Sequence, residues 1–354
     1  DAQESRGLGD VYKRQVVYNN YRYFVVFNTI YTTIVTIFGY SGKVIIPAEI
    51  NGHKVTKICD GAFRDSQISL IEFEAPDNIE SIGMGAFYNC SLEKIDIPNV
   101  KYIFTNTFEN CINLSEVSIP KSVIKINKFA FKNCGLINIV IPEGIERIDN
   151  YAFSSCPYLK SVTISEGVKE IGWAAFEKAT LETVNIPSSV KRIETYAFNE
   201  CRELKNVTIL EGVNEIGYSA FAATALETVY IPSSVKSIEE YAFCECRELK
   251  DVTISEGVEH IGMLAFNNCQ NIGDVQIPAS VKKIDAYAFN LCWYWNEGTI
   301  KFIRKTDFEY DNSMLWNDNR VSILIPIDAK ENYTNYDGTI IFEHVSNDKV
   351  TFYN

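Results

Sequence analysis

Histidine is scarce: His53, His260 and His344 are the only three in 354 residues and stand far apart, so a multi-histidine metal site is not expected. The chain has no phosphate loop ending in Gly-Lys-Ser/Thr, no Gly-x-Ser-x-Gly, no His-Glu-x-x-His and no dinucleotide fingerprint. Basic residues are outnumbered 33 to 46, giving a formal net charge of −13. An acidic surface repels phosphate backbones, so nucleic acid is not an expected partner. The chain does not begin with Met, and residues 1–15 do not join the pattern that follows, so they read as a non-native leader. The uncharged run Tyr23–Tyr40 has the length of a membrane span or signal peptide. Its polar members Asn28, Thr29, Thr32, Thr33 and Thr36, its β-branched content and the Gly39-Tyr40-Ser41-Gly42 turn instead predict a hairpin.

Apolar material is plentiful: 46% of residues are hydrophobic and 13% aromatic, enough to bury a core. Phenylalanine recurs eleven times from Phe63 to Phe289, at intervals of 21 to 24 residues. Around each one the chain reads Leu-x-x-Val-x-Ile-Pro-x-x-Val-x-x-Ile-x-x-x-Ala-Phe-x-x-Cys, as in Leu181–Cys201. Val184 and Ile186 alternate with polar neighbours, which predicts a short strand with an inward face. Pro187, with no amide to donate, ends that strand. Val190 and Ile193 turn inward again, the Ala-Phe pair fills the wide part of the coil, and Cys201 and Leu204 close it. No single coil can bury these side chains alone, so coils must stack. The expected fold is a repeat β-solenoid of about eleven coils of 22–23 residues, with short strands and little helix. Residues 16–62 are read as an N-terminal hairpin cap and first coil, 63–292 as the solenoid and 293–354 as a C-terminal cap. That cap carries Trp293-Tyr294-Trp295 and Trp316, and Asp307–Asn319 reads as a loop.

A second period lies over the first. Residues 159–203 and 204–248 align without a gap and are identical at 32 of 45 positions, so the duplicated unit is a pair of coils. With its Ile-Pro step, Ala-Phe pair and following Cys, the repeat from Val44 to Cys292 resembles the BspA-like leucine-rich repeats of bacterial and protozoan surface proteins. Gly39–Phe63 resembles the first coil of that family, and Val321–Tyr336 its exit, a strand followed by a helical turn. The resemblance implies a right-handed, leucine-rich-repeat-like solenoid. It also implies a non-catalytic, cell-surface or secreted adhesin-type module that binds host, matrix or other cell-surface proteins, with a glycoprotein partner suspected. No cofactor and no membrane insertion of the repeat region are expected, and the chain is expected to be a monomer. A structural spacer and an intracellular scaffold remain alternatives.

Eight cysteines, from Cys90 to Cys292, stand three residues after the Phe and read as a column of small buried side chains. Bridging fails for Cys201, whose neighbours in that register are Ala179 and Thr224. Cys244, whose equivalents are Asn199 and Asn290, is expected to be exposed. The partner-binding candidates fall in two series. Trp173, Tyr196, Tyr218 and Tyr241, with Tyr151 and Tyr287, stand two or three residues before the Phe and serve either as packing between coils or as an amphipathic stripe. Asn185, Thr208, Tyr230 and Gln276 occupy outward strand positions, on a flat face either presented to a partner or merely solvated. Glu166, Glu211 and Glu256 alternate with Lys191, Lys236 and Lys282, which suggests charge pairing between coils.

Overall fold

The computed structural model describes residues 12–18, 21–27, 32–37, 41–292, 297–303, 309–310, 321–327 and 349–353. Residues 1–11, the two tryptophan-bearing segments of the C-terminal region and the turn expected after residue 327 lie outside these. The chain divides into two compact units, Asp1–Leu159 and Lys160–Asn354.

In the second unit each coil contributes two short strands to a β-solenoid. Thr183–Ile186 belongs to a parallel sheet with Ser161–Ile164, Asn206–Ile209, Thr228–Ile231 and Asp251–Ile254. Arg192–Ile193 belongs to a second parallel sheet, whose strands in this unit run from Glu170–Ile171 to Glu309–Tyr310. Val184, Ile186, Val190, Ile193, Ala197, Phe198, Cys201 and Leu204 are all buried, as their spacing predicts. Val275–Ile277, Gly298–Phe302, Val321–Pro326 and Val350–Tyr353 form a further parallel sheet, so the C-terminal region continues the stacking with longer strands.

The turn around the Phe explains the Ala-Phe signature. Tyr196, Phe198 and Glu200 donate their amides to the carbonyls of Tyr218, Ala220 and Ala222 one coil on, at 2.8–2.9 Å. The intervening Ala197, Asn199 and Cys201 donate back three residues along their own chain. Every second amide therefore ties one coil to the next. This path needs a left-handed residue on each side of the Phe, and Tyr196 (φ 59°) and Glu200 (φ 55°) supply them at Phe198. In the first unit Gly85 (φ 57°) meets the same need at no steric cost. Gly83 answers a different need: a Cβ there would lie 2.4 Å from the Asp60 amide nitrogen.

The two-coil duplication is visible in the ladders. Strands 23 residues apart, Thr183–Ile186 with Asn206–Ile209 and Thr228–Ile231 with Asp251–Ile254, pair at four positions each. Strands 22 apart pair at two positions (Ser161–Ile164 with Thr183–Ile186) or one (Asn206–Ile209 with Thr228–Ile231). The extra residue lies after the Phe, between Phe198 and Leu204 against the shorter Phe221 to Leu226.

The first unit opens with Tyr12–Tyr18 and Tyr21–Phe27 as an antiparallel pair, so part of the stretch set apart as a leader lies in a strand. Tyr21–Phe27 and Thr32–Ile37 pair antiparallel, and Thr32–Ile37 then pairs in parallel with His53–Ile58. Among the described residues no helix is long and apolar enough to cross a membrane. Ser41–Ile46, Gln67–Phe73, Lys94–Asp96 and Glu116–Ser118 form a separate parallel sheet.

The pairing expected between the Glu and Lys columns is not what the structure holds. Glu211 instead accepts from the amide and hydroxyl of Ser233 (both 3.0 Å) and from the Ser234 amide (2.9 Å) one coil on, while the Gly212 amide donates to the Ser234 hydroxyl. Glu166 makes the same clasp with Ser188 and Ser189, and Glu256 with the amides of Ala279 and Ser280. Two adjacent amides are already fixed by the fold, so binding them costs less entropy than immobilising a flexible ammonium. Lys191 donates to the Ser188 carbonyl, Lys236 to that of Gly257, and Lys282 pairs with Glu259.

Hydrogen bonds from the Ser233 amide, the largest influence, hold the Glu211 carboxyl below its ordinary 4.5. A lowered folded pKa stabilises above the unfolded value, and that contribution is lost as pH falls through the folded one. Thermal unfolding followed from about pH 6 to about pH 3 should therefore show a smaller loss of Tm in Glu211→Gln than in the parent chain. Parallel curves would contradict the clasp.

Candidate functional site

The candidate binding residues separate onto different sheets of the second unit. Asn185, Thr208, Tyr230 and Gln276 all point outward from their strands and are exposed. Asn185 lies beside Thr208, and Tyr230 beside Thr253. Tyr230 is 54% exposed and is the only aromatic residue in this column from Thr163 to Gln276.

Trp173, Tyr196, Tyr218 and Tyr241 stand where the chain leaves the short strands of the other sheet. Their ring centroids follow one another at 6.4, 5.4 and 5.3 Å, tilted or edge-on. Trp173 is 39% exposed and the three tyrosines are half-buried. These rings thus both pack on one another and leave a face to solvent. Met263 and Leu264 occupy the same turn one coil further on, also half-buried. Burial is the largest influence raising the Tyr241 hydroxyl pKa, helped by Tyr218. Tyr230 belongs to another sheet, so the candidate anchors do not form a single patch.

In the first unit the sequence series began at Tyr151, yet its ring stacks on Phe129 at 5.0 Å. Phe129 was hidden by its type: two residues before Phe131 it reads as a second core Phe. Lys132 Nζ sits over both rings, 5.3 Å from Phe129 and 5.9 Å from Tyr151.

All ten cysteines are free. The eight in register do more than fill space, because each thiol lies 2.7–3.2 Å from the carbonyl of the Phe one coil earlier and donates to it. Burial pushes the Cys90 thiol up to about 11 and that of Cys156 up to about 12. Cys244 is buried, contrary to expectation: Asn267 covers it and donates to its sulfur at 3.6 Å, and Asn290 in turn donates to Asn267. An amide column ending on sulfur replaces the exposed thiol.

Two polar features lie apart from these series. Ser237, His260 and Asp285 are hydrogen-bonded across three coils (3.3 and 2.8 Å), but Ser237 also bonds Glu239, and Lys283 also bonds Asp285. A shallow groove of about 300 Å³ in the first unit is lined by Lys94, Asp96, Glu116, Ser118 and Ile137. It lies where Glu116–Ser118 and Asn138–Ile141 belong to different sheets. Among the described residues no group of three or more side chains is placed to hold a metal ion.

A six-copy sequence profile described as the BspA type leucine rich repeat region matches residues 42–159, 80–200, 124–250 and 169–296. No match was found among curated protein sequences. A leucine-rich repeat protein from Bacteroides ovatus has a similar structure (TM-score 0.61, 23% identity, 96% of this chain and 100% of that one). A leucine rich cell surface protein from Faecalibacterium prausnitzii is similar too (TM-score 0.56, 26% identity, 96% and 95%). The pneumococcal vaccine antigen PcpA is similar at a TM-score of 0.55 and 18% identity, over 99% of this chain and 100% of that one.

The two series should differ in stability. Tyr218→Ala removes two ring contacts and should cost about 1 kcal/mol in urea unfolding, whereas Tyr230→Ala should stay within about 0.5 kcal/mol. Equal costs would contradict the ring ribbon.

Proposed function

The chain belongs to the BspA-type leucine-rich repeat family, and from that premise we propose that it is a non-catalytic protein-binding module of a cell-surface or secreted protein. The observation that carries this reading is the half-exposed ribbon from Trp173 to Tyr241, four rings in contact on four successive coils. Aromatic rings give large contact area for little entropy and concentrate binding energy at interfaces. Repetition adds reach, since a partner meeting several coils binds at several points. The exposed strand column with Tyr230 is a second, flatter contact face. The surface assignment draws on the Faecalibacterium prausnitzii relative, described as a cell surface protein. The ten free thiols favour a second reading, an intracellular scaffold, because disulfides persist in oxidising compartments and free thiols in reducing ones.

The test is a binding screen against immobilised matrix and serum glycoproteins, with fibronectin and fibrinogen included. Dose-dependent binding is expected, weakened about tenfold or more in Trp173→Ala/Tyr218→Ala. Undiminished binding in a variant that also carries Tyr230→Ala would overturn the site. A folded chain that binds nothing would favour a structural spacer.

A further inference from the structure

The two units treat their aromatic ribbons differently, and the difference points to the chemistry of the partner. In the first unit the ribbon supplies its own cation: Lys132, the residue after the core Phe131, lies over the Phe129 and Tyr151 rings. Arg64, the residue after Phe63, sits 4.1 Å over Tyr88, the ring that follows the next core Phe and lies off the ribbon positions. In the second unit the same position holds Glu177, Asn199, Ala222, Cys244, Asn267 and Asn290, and no cation.

The surrounding charge follows suit. From four residues before each core Phe to two after it, the second unit has seven carboxylates and one basic residue, Lys178. The corresponding band of the first unit has four and three. Some of the acidic residues in the second unit are matched: Arg192 pairs with Glu194, Arg202 with Glu200, Arg247 with Glu245 and Lys283 with Asp285. Glu239 and Glu240, which precede Tyr241 in the chain, are half-buried and have no ion-pair partner among the described residues, although Glu239 accepts from the Ser237 hydroxyl. The ring of Tyr241 lies 5.3 Å from that of Tyr218. Two rings and two carboxylates that lack a cation suit an ammonium or guanidinium, which gains from a ring face and a nearby anion together.

We propose that the ribbon of the second unit docks an extended lysine- or arginine-rich segment of the partner, with one of its cations over Tyr218 and Tyr241 as Lys132 lies over Phe129 and Tyr151. The inference rests on the binding-face reading above and specifies what that face takes.

The test titrates the full chain into a fluorescent peptide of alternating Lys and Ser at physiological ionic strength, with a Glu-Ser peptide of equal length as control. Only the lysine peptide should bind. Tyr218→Ala should weaken it about tenfold, and Glu239→Gln/Glu240→Gln about threefold or more. Ala222→Lys, which places the chain's own ammonium where Lys132 stands in the first unit, should also compete it away. Glu203→Gln/Glu248→Gln makes the same change in net charge at exposed positions off the ribbon and should have less than about a twofold effect. Equal losses in the two Gln variants, or indifference to Tyr218→Ala, would mean diffuse attraction to an acidic protein and would overturn the proposal. Absence of lysine-peptide binding would overturn it as well. Should Tyr218→Ala still abolish capture of a glycoprotein in that case, the binding face would stand and only the partner chemistry would fall.

Discussion

Each coil is half of a core, and it becomes stable only against the next one. The core phenylalanines show this most plainly. Within each unit successive rings lie 5.1–5.4 Å apart and within 10° of parallel. That distance exceeds the ~4.8 Å between paired strands, so the rings are offset rather than eclipsed, the arrangement their quadrupoles favour. The Phe amide reaches the Ala carbonyl of the next coil, and the Cys thiol reaches back to the Phe carbonyl of the previous one. Side chain, amide and thiol therefore carry the stacking together, and a coil lacking a neighbour would forfeit all three.

That constraint also shapes the surface. Because the turn needs a left-handed residue two places before the Phe, the side chain there is held in one direction on every coil. Tyr196 and Tyr241 use this position, while Trp173 and Tyr218 stand one residue earlier on the alternate coils. A ribbon of rings arises from the repeat itself, at a spacing set by the stacked backbone. Which charges and cations surround it then distinguishes one unit from the other.

The repeat made most of the fold legible. Phe spacing, Ile-Pro steps and Ala-Phe pairs identify which residues share a column and which of those are buried. They are silent on what faces a column from its side. The Glu-to-Lys pairing was a choice by charge, whereas the carboxylates of Glu166 and Glu211 found adjacent Ser amides closer. Cys244 seemed exposed because its equivalents are Asn, yet one of that same column, Asn267, covers it. The two aromatic series were visible as residues, but their placement on separate sheets depends on which strand each follows. Phe129 is not distinguishable in the sequence as a ribbon residue because it is the same residue type as the core it lies beside.

The most direct test of stacking as the source of stability is urea unfolding of Phe221→Ala beside Phe221→Leu, in the middle of the second unit. Phe221 contacts Phe198 and Phe243, at 5.2 and 5.4 Å. If neighbouring coils complete one another's core, the Ala variant should lose about 3–5 kcal/mol, with the Leu variant recovering part of that loss. A loss of under about 1 kcal/mol for Phe221→Ala would mean that coils hold themselves together and would contradict the stacking of cores.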